Sequence, residues 1–174
     1  MRMYAAFSSN WAKPCLLELG GKNPVIVTDT ADLDAAAEGV MRSAFSLQNQ
    51  KCSATSRVYA HQAVIEPFLE LLLAKTRAMT IGDPTQRDVY FGPVINERAV
   101  ATFERAAAQA ATEGHILCGG HRMTEGAFAK GHYVEPTIAR LPLESTLFRD
   151  ELFVPLLSIG AVTSFDQAIA EANK

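Results

Sequence analysis

Short apolar runs rich in β-branched residues alternate along this chain with longer stretches whose apolar side chains recur every three to four positions. Pro24-Val25-Ile26-Val27, Arg57-Val58-Tyr59-Ala60, His115-Ile116-Leu117-Cys118 and 156–162 read as strands. Between them, Leu33, Ala37, Val40, Met41, Ala44 and Phe45 form one helical face, expected to end near Gln48. Val64, Phe68, Leu71, Leu72 and Lys75 form a second, and Val100, Phe103, Ala107 and Ala110 a third, stopped by Gly114. Strands separated by helices pair in parallel, because the helix is the crossover that returns the chain to the same end of the sheet. The prediction is therefore an α/β fold with a largely parallel sheet and helices on its faces. Residues 15–18 read as a further strand entering a turn at Gly20-Gly21, and 133–138 as an extended segment. Thr30 or Asp32 is placed to cap the first helix, and Ser164 or Asp166 the last. The alanines of 106–111 fit a helix better than low complexity. Sheets of this class place their sites at the carboxyl ends of strands.

Composition narrows the function classes. The 174 residues suffice for one domain with a core of its own. The net charge is −3 with both signs scattered, which argues against a nucleic-acid or anionic-membrane surface. No apolar run approaches the ~20 residues of a spanning helix. The first residues lack a long apolar stretch behind a basic end, so no secretory signal is expected. Cys15, Cys52 and Cys118 make an odd set, consistent with reduced thiols in a cytoplasmic protein. The chain stops inside an apparent helix, and it is expected to be cut from something longer.

Three blocks carry possible chemistry. Cys52 lies in Gln48-Asn49-Gln50-Lys51-Cys52-Ser53, a polar setting unlike that of a core cysteine. Lys51 beside it favours the thiolate, the nucleophilic form. Cys15 and Cys118 sit in apolar strand patterns and read as core. Glu18, between Leu17 and Leu19, is either a buried carboxylate with a raised pKa suited to a general base or an outward residue of a half-exposed strand. Glu151 and Phe153, just before Pro155, form either a charged loop or a pair able to bind a sugar diol and a flat ring. Gly20-Gly21-Lys22 is not a phosphate loop, since Leu16 and Asn23 occupy positions that require glycine and a hydroxyl residue. His115, Cys118 and His121 match no closed zinc spacing, and no metal is expected.

In this order the three blocks resemble the NAD(P)-dependent aldehyde dehydrogenase superfamily. Leu17-Glu18-Leu19-Gly20-Gly21-Lys22 is similar to its general-base motif, 48–57 to its nucleophile motif, and Glu151-Leu152-Phe153-Val154-Pro155 to its nicotinamide-side motif. Gly92-Pro93-Val94-Ile95, Gly119-Gly120 and Tyr133-Val134-Glu135-Pro136-Thr137 extend the likeness over nearly the whole chain. Gln50-Lys51-Cys52-Ser53-Ala54 looks most like the 1-pyrroline-5-carboxylate dehydrogenases, which oxidise glutamate semialdehyde.

The resemblance implies a partial catalytic domain over residues 1–174, without the cofactor-binding domain and oligomerisation arm of the family. It implies Cys52 as nucleophile, Glu18 as the base that activates water, and Ser53 as a contact to a substrate carboxylate. Glu151, Phe153 and Leu19 are then the cofactor-side residues for NAD or NADP. It implies a small-molecule aldehyde substrate and a homo-oligomer, and exposed apolar surface is expected to make the segment self-associate. The chain by itself is expected to oxidise aldehyde weakly or not at all. Acyl transfer to coenzyme A is the alternative chemistry, and a non-catalytic folding module the alternative class. Two positions depart from the family pattern, which commonly has glycine where Asn49 and Val154 stand. Asn49 is expected to alter the turn leading to Cys52, and Val154 to crowd the cofactor pocket.

Overall fold

The computed structural model describes the chain except residues 1, 12, 15, 17 and 18, with backbone only for residues 2–4. A short helix, α1 (Arg2–Phe7), has no counterpart in the sequence pattern. Then follow β1 (Asn23–Val27), α2 (Leu33–Phe45), β2 (Thr55–His61), α3 (Ile65–Arg77), α4 (Glu97–Glu113), β3 (His115–Cys118), β4 (Thr137–Arg140), β5 (Leu156–Val162) and α5 (Phe165–Ala172). The sheet order is β1-β2-β5-β4-β3. Four strands run parallel, and β3 lies antiparallel to β4 at one edge.

Alternation along the strands sorts side chains between two cores. Val58, Ala60, Ile138, Leu157 and Ile159 point to one face, where Phe45 of α2 and Phe68 and Leu72 of α3 cover them. Tyr59, Ala139, Leu156 and Val162 point to the other, under Val100, Phe103 and Ala110 of α4 and Ala168 of α5. Ala106, Ala107 and Ala110 of α4 are buried against this core. The helix ends follow local chemistry. Asp32 accepts from the N–H groups of Asp34 and Ala35 to start α2, Asn96 from that of Ala99 to start α4, and Ser164 from that of Gln167 to start α5.

Two expectations shift. The first predicted strand, 15–18, falls mostly outside the described residues, as does the core reading of Cys15; Leu16 is exposed and in no strand. The extended segment at 133–138 becomes regular strand only from Thr137, Val134 contributing a single bridge to Arg122.

Candidate active site

Three loops meet at the amino ends of β1, β2 and β5. Leu19 and Gly20 lie before β1, residues 50–53 before β2, and Glu151 and Phe153 before β5, and together they line one cleft of about 550 Å³. The expected location at the carboxyl ends is therefore wrong for this chain. The connections leaving the carboxyl ends of these three strands are short, residues 28–32, 62–64 and 163–164. At these carboxyl ends, between the exits of β1 and β5, lies a hollow of only about 40 Å³, room for little more than a water molecule. The long irregular connections enter the amino ends, so the cleft forms there.

Glycines let the loops touch. A Cβ on Gly20 would strike the Glu151 carboxylate, and one on Gly21 would strike the Cys52 carbonyl oxygen. The Asn23 amide then donates to the Cys52 carbonyl at 2.6 Å and to that of Ala54 at 3.1 Å. The thiol-bearing loop is thus held from the β1 side through its backbone, while Cys52 and Ser53 remain exposed to the cleft.

The loop begins where α2 stops. Leu47, Gln48 and Asn49 all take left-handed backbone angles, with φ of 51°, 56° and 60°. Such a run costs side-chain-bearing residues energy and needs external support. Asn49, buried, donates through its amide to the carbonyls of Ala44 and Thr55, both at 2.8 Å. The turn therefore accommodates Asn49. The Gln48 amide fits with its oxygen toward the Gly92 N–H at 2.9 Å and its nitrogen toward the Pro93 carbonyl at 3.2 Å. Gln50 accepts from the Ile95 N–H at 2.9 Å. The amide cluster 48–50 was the sequence signal for this support, three hydrogen-bonding side chains in a row after an apolar helix.

On the third side, Phe153 also has a positive φ, 59°, and is 43% exposed. Val154 does not crowd the cleft. Its side chain is buried in the core beneath α4. Glu18 lies outside the described residues; its neighbours Leu19 and Gly20 line the cleft.

Lys22, in the loop before β1, and Arg57, in β2, form a basic pair that sequence reasoning missed. Arg57, 7% exposed, donates to the Lys22 carbonyl at 2.7 Å, to Tyr59 Oη at 3.1 Å and to the Ala172 carbonyl at 2.9 Å. Lys22 Nζ is buried with no hydrogen-bond partner among the described residues. Burial, then the Arg57 charge, pull its pKa from 10.5 to about 8, against the opposing pull of Asp150 and Glu151. Below that pH the ammonium is charged in folded and unfolded chains alike, and its burial cost is carried in full. Between pH 8 and 10.5 only the folded chain has shed the proton, so stability rises with pH by about 3 kcal/mol. Urea unfolding across this window should show that rise in the native protein and its disappearance in Lys22→Met. Parallel curves for the two would refute it.

Among the described residues no three His, Cys, Asp or Glu side chains converge to hold a metal. Also among them, no helix is long and apolar enough to cross a membrane. Cys118 is partly buried, its thiol pKa pushed up by desolvation, and its sulfur contacts the Pro136 carbonyl at 3.8 Å.

Comparison with known proteins places these loops in a wider setting. The profile of the aldehyde dehydrogenase family matches residues 1–174. An alpha-ketoglutaric semialdehyde dehydrogenase of Bacillus subtilis is 40% identical over 159 residues, covering 90% of this chain and 33% of that protein. A 1-pyrroline-5-carboxylate dehydrogenase of Halalkalibacterium halodurans is 39% identical over 165 residues, covering 94% of this chain and 31% of that protein. A crystal structure of a Thermus 1-pyrroline-5-carboxylate dehydrogenase with bound NAD superposes with a TM-score of 0.83 at 36% identity, over 89% of this chain and 29% of that one. The chain spans about a third of the length of the relatives it matches.

Proposed function

The chain belongs to the aldehyde dehydrogenase family, and on that premise we propose that residues 1–174 are the thiol-bearing part of a catalytic domain that oxidises an aldehyde to a carboxylic acid with NAD or NADP. The cofactor-binding domain lies outside this segment. The observation that carries the reading is the convergence of three sequence-distant loops on one cleft with an exposed thiol at its wall.

The residues present fit the nicotinamide end of the cofactor. The exposed Glu151 carboxylate offers acceptors for ribose hydroxyls, the exposed ring of Phe153 offers a flat apolar face, and Leu19 adds a second apolar wall. Gly20 leaves the Glu151 carboxylate room that a Cβ would fill. When bound, NAD or NADP supplies the hydride acceptor.

Cys52 attacks the aldehyde carbon through sulfur, which is both a good nucleophile and later a good leaving group. The oxyanion faces the Cys52 backbone N–H, for which no acceptor stands among the described residues. The sulfur carries the substrate first as a thiohemiacetal and then as a thioester. Glu18 activates the water that releases the acid. Lys51 and Ser53, at the same cleft, suit a substrate that itself bears a carboxylate, and glutamate semialdehyde is the proposed one. The protein is taken to be cytoplasmic, in keeping with its free Cys52 and Cys118. It is also taken to be a homo-oligomer, because Trp11, Leu16 and Ile95 are exposed in the way a second subunit would cover.

The test is a product assay. A protein of the relatives' length carrying this segment should convert glutamate semialdehyde to glutamate with stoichiometric NADH, unaffected by coenzyme A. The 174-residue chain alone should stay below ~1 s⁻¹, the lower edge of ordinary enzyme turnover. An acyl-coenzyme A product would overturn the hydrolytic reading, and no NADH with any aldehyde would overturn the function.

A further inference from the structure

We propose that Asn49 is a positioning residue for Cys52, clamping the two ends of the thiol loop so that the sulfur is presented beside its own backbone N–H. The inference rests on Cys52 being the nucleophile. Three consecutive left-handed residues connect α2 to this loop, a conformation that costs ~1–2 kcal/mol per residue bearing a Cβ. Gln48 and Gln50 tie the loop outward, to the 92–95 segment. Asn49 alone of the three bridges the loop's own ends. One buried amide nitrogen spans the Ala44 carbonyl at the end of α2 and the Thr55 carbonyl at the start of β2. A hydroxyl pair, Ser43 and Thr55 at 2.7 Å, closes the same seam alongside it. From the opposite side Asn23 fixes the Cys52 carbonyl.

With both ends and one carbonyl pinned, the peptide plane carrying the Cys52 N–H has little freedom relative to the sulfur. Asparagine is suited to this task for two reasons. It tolerates a left-handed φ of 60° better than most side-chain-bearing residues, and its amide supplies two protons for two carbonyls. Glycine, common here in the family, keeps the backbone angle but leaves the Ala44 and Thr55 carbonyls without the amide. Aspartate keeps the size but turns an oxygen toward two oxygens.

Two probes of the same thiol separate positioning from mere integrity. Acylation by p-nitrophenyl acetate forms a sulfur–carbon bond and breaks the ester carbon–oxygen bond, releasing p-nitrophenolate through an oxyanion that needs the N–H. Alkylation by iodoacetamide displaces iodide directly and needs no such donor. Rates at Cys52 are read site by site by mass spectrometry on the 174-residue chain, with Cys118 as internal reference. In Asn49→Gly, acylation should fall roughly tenfold while alkylation stays within about twofold. Asn49→Asp should fall at least as far. Asn49→Gly is the decisive variant because glycine is at home at this φ, and its thermal midpoint checks that the fold survives. Unchanged acylation, or acylation and alkylation falling by one common factor, would overturn the inference alone. Native Cys52 acylating no faster than Cys118 would defeat the nucleophile reading, and the inference with it.

Discussion

Replacing Cys52 by alanine should abolish aldehyde oxidation while leaving the fold intact. The expected loss in kcat is at least ~10⁴-fold, the scale seen when a covalent nucleophile is removed. It should be measured as NADH formation in a protein of the relatives' length carrying this segment. Stability should move by less than about 0.5 kcal/mol, since the Cys52 side chain is exposed and fills no core. Cys118→Ala is the contrasting control. Its thiol is partly buried at the β3 edge, away from the cleft, and burial disfavours its thiolate. That variant should keep its turnover and lose some stability instead. Normal turnover in Cys52→Ala would remove the nucleophile assignment and most of the proposed mechanism.

The second large effect is on folding. Arg57→Ala should destabilise the protein by about 3 kcal/mol, because a charged fork bonded to one buried and two partly buried oxygens is lost. For a chain of this size that corresponds to roughly 10 °C in Tm. Arg57 joins the loop before β1, through the Lys22 carbonyl, to the end of α5, through the Ala172 carbonyl. Its guanidinium also lies 5.8 Å from the Tyr59 ring centre, and that ring stacks on Phe148 at 5.4 Å. Arg57→Lys keeps the charge without the fork and should recover little of the loss. The neighbouring charge supplies an internal check. Arg57 helps hold the Lys22 pKa down, so in Arg57→Ala the Lys22-dependent rise of stability above pH 8 should shrink. Urea midpoints at pH 7 and pH 10 measure both effects. An unchanged midpoint at pH 7 would show that the buried guanidinium contributes no net stability.

Of the two glycine-to-side-chain departures, Val154 does not crowd the cleft as expected, while Asn49 is built into the turn leading to Cys52. Neither position could be judged from its neighbours in sequence. Asn49 is tolerated because two carbonyls eleven residues apart happen to face its amide. Val154 is harmless to the cleft because its side chain is buried in the core beneath α4. Arg57 shows the same limit from another side. A charged residue opening an apolar strand reads as solvent-facing until the partners of its fork, contributed by β1's loop and α5, are in place.

Periodicity is a local property, and what depends on it was legible in the amino-acid order alone: the strands at Pro24-Val25-Ile26-Val27 and Arg57-Val58-Tyr59-Ala60, and the buried faces of α2 and α4. The location of the cleft was not. Which ends of the strands carry it follows from how long each connection is relative to the strand spacing, and which loops share it follows from the order β1-β2-β5 across the sheet. Those are distances between segments far apart in the chain. Only the packed structure brings Leu19, Cys52 and Glu151 to one wall, because the hydrophobic burial that sets the sheet order acts on whole faces rather than on neighbouring residues.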